Sequence, residues 1–118
     1  MKTFSNDFCE LAMHTNYVIV VIQEGVDLDL SKALIIKEIL EQNYQDREFL
    51  MISYRKNRHK IDAQVYKKGL LENMKGLAVV SPFEEEKTVA SQEQKLYDKS
   101  FVFFDSLDDA ESWANHYF

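Results

Sequence analysis

The chain has one cysteine, one proline and three glycines in 118 residues. A single cysteine, Cys9, excludes any intramolecular disulfide and suits a reducing cytosol. So little glycine and proline excludes collagen-like and low-complexity classes. The glycines are scattered, so no glycine-rich loop can cradle a phosphate, and there is no C-x-x-C pair. The longest apolar run, Tyr17 to Ile22, is six residues, against the ~20 that a membrane span needs. The opening stretch, Met1 to Asp7, has no apolar core of a signal peptide, which leads us to expect a cytoplasmic protein.

What is present describes a folded domain. Hydrophobic residues make up 46% and aromatics 13%, too many for a disordered chain. The length suits one domain spanning residues 1–118. The net charge is −6, and an acidic chain lacks the positive field that phosphate contacts need, so no nucleic-acid partner is expected. The charge is uneven. Residues 52–82 hold 7 basic and 2 acidic groups, while the flanks 1–51 and 83–118 are acidic, at −5 and −6.

Periodicity orders the elements as β-β-α-β-α-β-α-β-α. Strands are predicted over Phe8 to His14, as an edge, and over Tyr17 to Ile22, Phe49 to Tyr54, Leu77 to Val80 and Phe101 to Phe104. A helix capped by Asp29 or Ser31 should run to about Tyr44. A second helix should start at Asp62 and end near Gly76. A third should open with Glu84, Glu85 and Glu86, where carboxylates complement the helix dipole. The last starts at the capping sequence Ser106-Leu-Asp-Asp109. Alternating strands and helices after a hairpin imply an α/β fold with a mixed, mostly parallel sheet. The expected core is Val20, Ile22, Leu34, Leu40, Ile52, Val79, Phe103 and Trp113.

Few residues suggest chemistry. His14, His59 and His116 are far apart, without the i, i+4 spacing of many metal sites, so neither metal nor cofactor is expected. Cys9 could pair with a histidine as a nucleophile, but nothing positions it, and cysteine is usually buried. The aromatics at 101–118 read as core, with Phe118 as a candidate contact residue. The most distinctive segment is the basic loop Arg55, Lys56, Asn57, Arg58, His59 and Lys60, followed by Lys67 and Lys68. It lies after a predicted strand, where ligand sites of open α/β sheets gather. It reads either as a binding surface for an acidic partner or as solvated surface offsetting an acidic chain.

Several strings resemble the SpoIIAA-like, STAS-type domains of small bacterial proteins. They are Phe49-Leu-Met-Ile-Ser-Tyr-Arg55, Ile61-Asp62 with Val65-Tyr-Lys-Lys68, Gly76-Leu-Ala-Val-Val-Ser81, and Phe101-Val-Phe-Phe104 with Ser106-Leu-Asp-Asp-Ala-Glu-Ser-Trp113. The resemblance implies a sheet of four to five strands with about four helices. It also implies a non-enzymatic, regulatory module acting through protein–protein contacts. Separately, the basic segment suits pairing with the acidic flanks, within one molecule or across a homodimer. The phosphorylated members carry Asp-Ser-[Ser/Ala/Thr]-Gly after the strand matching residues 49–54. Here Tyr54-Arg55-Lys56-Asn57 stands there, so no phosphorylation of this loop is expected. Such folds also resemble CRAL-TRIO lipid-transfer domains, which makes a lipid or other small apolar ligand the alternative expectation.

Overall fold

The computed structural model describes residues Met1–Phe118. Eight strands and four helices follow one another: β1 (Lys2–Ser5), β2 (Cys9–Met13), β3 (Tyr17–Ile22), β4 (Asp27–Leu28), α1 (Leu30–Tyr44), β5 (Phe49–Tyr54), β6 (Lys60–Ile61), α2 (Gln64–Lys68), β7 (Met74–Val80), α3 (Glu85–Gln94), β8 (Ser100–Phe104) and α4 (Leu107–Tyr117). Six strands form one sheet in the order β1-β2-β3-β5-β7-β8, and β4 pairs with β6 in a parallel two-stranded ribbon. β1, β2 and β3 pair antiparallel; β3, β5, β7 and β8 run parallel. The four apolar runs predicted as strands of one sheet are therefore its parallel part.

The sheet is buried on two faces, which is why β3, β5 and β7 are continuously apolar rather than alternating. Val18, Val20, Ile22, Phe49 and Leu77 face α1 and α2, while Tyr17, Leu50, Ile52, Ala78 and Val80 face α4. The helix face of α1 is Ala33, Ile36, Leu40 and Tyr44. Asp29 caps it, accepting from the Lys32 N–H at 3.0 Å. The Tyr44 hydroxyl reaches the carbonyl oxygens of His14 and Tyr17 at 2.7 and 2.8 Å, anchoring α1 to the β2–β3 hairpin.

The structure corrects several expectations. The sheet has six strands, not four or five, because β1 adds an edge and moves β2 inside. Its sequence, Lys-Thr-Phe-Ser, has one apolar residue and little burial to signal it. The second helix is only five residues long; Gly69 closes it, and β7 begins earlier, at Met74. Leu34 is 43% exposed, since it lies off the 33–36–40–44 stripe. Phe103 and Trp113 are half-buried, because β8 is an edge strand and α4 covers it from one side only. Val20, Ile22, Leu40, Ile52 and Val79 are buried as expected.

Candidate functional site

Parity along β5 decides where the site lies. Phe49, Met51 and Ser53 alternate onto the face covered by α1 and α2, and Arg55 continues that series. Its N–H still bonds to the Val80 carbonyl at 2.7 Å, one residue past the strand. Arg55 is consequently 4% exposed and points under the helices, not into solvent.

A buried carboxylate meets it there. Glu86, Ala90 and Glu93 share one face of α3, being four and three residues apart. Arg55 donates from both terminal nitrogens to the two oxygens of Glu93 at 2.5 Å, the bidentate geometry that a planar guanidinium favours. Glu86 approaches Arg55 at 3.6 Å. The Tyr66 hydroxyl, from α2, also donates to Glu93, and Arg55 Nε donates to Ser53 Oγ at 3.2 Å. Burial alone would lower the Arg55 pKa, but the Glu93 hydrogen bond and charge more than offset it and hold the guanidinium firmly protonated. Burial, then the Glu93 charge, pushes the Tyr66 phenol well above its ordinary value. No buried side-chain polar atom is left without a partner.

Beside this cluster a slot opens between the sheet and α1 and α2. It encloses a cavity of about 50 Å³ lined by 20 residues, 15 of them hydrophobic. Ile36, Leu40, Val65, Leu70 and Leu77 contribute to its apolar wall, with Ser53, Arg55 and His59 at its polar end and Lys37 at its rim. Lys37 Nζ donates to the Lys68 carbonyl at 3.2 Å, linking α1 to the end of α2. Burial holds the His59 imidazole below its ordinary pKa, and the Arg55 charge adds to the effect.

The six loop residues predicted as a binding surface thus divide. Arg55 is inside, a correction to its reading as a surface group; its parity with Phe49 was the available signal. Asn57 donates to the Ile22 carbonyl at 3.1 Å. The Arg58 guanidinium pairs with Glu85 and stacks over Phe83 at 4.4 Å. His59 lines the slot. Lys56 and Lys60 are exposed and form no ion pair, nor do Lys67 and Lys68. Glu93 and Tyr66 were not singled out from the sequence.

Other candidates fall away. Glu84 and Glu85 stand exposed at the start of α3, with Glu86 turned toward Arg55. Cys9 is fully buried, and burial, then Asp7, pushes its thiol up to about 11. No three His, Cys, Asp or Glu side chains converge as a metal site would require. No helix is long and apolar enough to cross a membrane.

The chain is similar to the crystal structure of an uncharacterized protein of the DUF3478 family with a SpoIIAA-like fold from Shewanella loihica PV-4. The TM-score is 0.63, at 14% sequence identity, over 94% of this chain and 98% of that one. No protein-family model matches the sequence, and no curated protein matches it. The fold is SpoIIAA-like, a mixed α/β sheet flanked by four helices, as the sequence resemblance implied.

Proposed function

We propose that the protein is a non-catalytic binding module that holds a slender apolar or amphiphilic molecule, such as a medium-length acyl chain, in the slot under α1 and α2. The observation that carries this reading is the slot itself. Protein interiors are normally packed to crystal density, and a void ringed by hydrophobic side chains forfeits contacts that a ligand can restore. As it stands the cavity holds only a few heavy atoms. About 50 Å³ exceeds the ~10–15 Å³ needed for one water but falls short of the ~150 Å³ that accepts benzene. A full chain therefore requires α2 to move outward. That helix has five residues and no side-chain N-cap bond. Apart from the apolar contacts a ligand would replace, it is tied to its neighbours chiefly by the Tyr66–Glu93 and Lys37–Lys68 hydrogen bonds, about which it can swing.

Charge sets the ligand's orientation. Arg55 already faces Glu93 and Glu86, so the deep end has no spare positive charge for an anionic head. Lys37 at the rim does. The tail enters first, and a carboxylate head stays at Lys37. The same self-neutralisation supports the absence of catalysis, since the one buried polar cluster is spent on internal partners.

Thermal denaturation with decanoate and with decanol tests this. Both should raise the midpoint. Lys37→Glu should weaken decanoate and leave decanol unchanged. Val65→Phe, which fills the void from α2, should abolish both shifts. No shift with either compound would overturn the reading.

One observation favours a second reading, a surface for an acidic protein. Lys56, Lys60, Lys67 and Lys68 make no ion pair within the chain. Such a partner would bind more weakly as salt rises, and Lys56→Glu with Lys67→Glu would release it while leaving the decanoate shift intact.

A further inference from the structure

The sheet ends on two unlike edges. β1 carries Lys2 within the strand, and a charge on an edge discourages further pairing. β8 is Ser-Phe-Val-Phe-Phe, without charge or proline, and no strand pairs with its outer side. An uncharged aromatic and β-branched edge is a template for another strand. The single side-chain bond to its backbone runs from Gln94 Nε2 to the Phe101 carbonyl at 3.4 Å. That is a long bond from an exposed side chain, which a backbone N–H can replace. Alternation along the strand then turns the N–H and C=O of Phe101 and Phe103 to the free side.

Apolar surface gathers at the same end. Phe101 and Phe103 line a groove against α3, while Phe104 packs on Trp113 of α4. Val89 in α3, Leu96 just beyond it, and Tyr117 and Phe118 at the end of α4 are all exposed. Four of the seven exposed large hydrophobic residues thus lie on, or just beyond the ends of, the two helices that flank this edge.

We propose that β8 is a homodimer interface, pairing antiparallel with β8 of a second copy about a two-fold axis at Val102. The two sheets then become one continuous sheet. In this register Phe101 lies opposite Phe103 and Ser100 opposite Phe104. The outward groups of Phe101 and Phe103 exchange N–H···O bonds in both symmetry-related halves, and the aromatic pairs stack across the strands. Lys99 falls opposite Asp105, twice. Charge complementarity selects this register: a two-fold at Phe101 sets Lys99 against Phe103, and one at Phe103 sets Asp105 against Phe101. A slip of one residue sets opposite faces of the pleat against each other. The present partners of the two charges are solvent-facing. Lys99 donates to the Glu72 carbonyl at 2.9 Å and lies 3.8 Å from its carboxylate, and Asp105 meets Lys87 at 3.4 Å, exposed contacts that contribute little and exchange readily. Because the interface is isologous, it closes at two copies.

Sedimentation across a dilution series tests the proposal. A dimer that dissociates on dilution is expected. Lys99→Asp or Asp105→Lys alone creates two like-charge pairs and should weaken it about tenfold, and the two changes together should restore it. In the wild type, amide exchange at Phe101 and Phe103 should slow as concentration rises, while exchange at Thr3 in β1 stays constant. A monomer at every concentration, a dimer indifferent to the single charge reversals, or protection appearing at β1 instead would overturn it. The exchange measurement stands even where a variant fails to fold.

Discussion

Arg55 and Glu93 are the residues on which the interior most depends. Removing one member of a buried ion pair leaves an uncompensated charge, and Glu93→Ala should destabilise the fold by about 3–5 kcal/mol. The paired change Arg55→Met with Glu93→Leu should recover part of that loss, because apolar residues of similar volume replace such a pair with little penalty, while the Tyr66 hydroxyl still loses its acceptor. Urea denaturation of both variants reads the difference. Equal destabilisation by the single and double changes would show that the pair contributes by packing instead of charge. Arg55 was legible in the sequence as a cation after a strand, but its direction was not read. The period of two running Phe49, Met51, Ser53 and Arg55 was there to be used. Glu93 was harder, because burial of an acid on a largely polar helix follows from its partner and not from its own neighbours.

His59 gives the site a pH dependence. Burial and the Arg55 charge lower its pKa in the folded state, so the unfolded chain takes up a proton first. The stability this residue contributes is present above about 6.5, its ordinary value, and is lost as pH falls from there through the folded value. His59→Gln should flatten the slope of stability against pH just below 6.5. An unchanged slope in that variant would assign the dependence to other groups.

At the scale of elements, caps and stripes were the most readable features. Asp29 and Ser106 cap α1 and α4 as the sequence suggested, each accepting from the N–H three residues on. The width of the α1 stripe was misread at Leu34, since four successive apolar residues, Ala33 to Ile36, offer two phases for one face. Leu34→Glu should therefore change stability by less than about 0.5 kcal/mol, whereas Ile36→Glu should unfold or severely destabilise the protein. β7 tests the packing of α4. A Cβ at Gly76 would come within 2.9 Å of Leu50 Cδ2 and 3.4 Å of Trp113 Cη2. Leu50 is fully buried and has little room to yield. Gly76→Ala should cost about 1–3 kcal/mol by overpacking, measured by denaturant midpoint; a neutral result would mean that α4 shifts freely on the sheet.

For the whole molecule, the parallel order of the central strands followed from continuous apolar runs separated by helical stripes. The SpoIIAA-like fold was accordingly recognisable. The slot was not, because a void is a property of how volumes on different elements add up, and no local pattern encodes it. The basic segment was visible as charge, yet its two arginines are engaged by Glu93 and Glu85 in α3. Attraction between the basic centre and the acidic C-terminal flank therefore acts within the fold, where it ties α3 to the end of β5 and the loop that follows.

The central claim is that the slot receives an apolar chain. Titration of isotopically labelled protein with decanoate, followed by amide and methyl NMR, tests it most directly. We predict saturable, one-to-one shifts at Ile36, Leu40, Val65, Leu70 and Leu77, with the amides of α2 moving most. Shifts confined to exposed lysines such as Lys56 and Lys67, or no saturation, would contradict it.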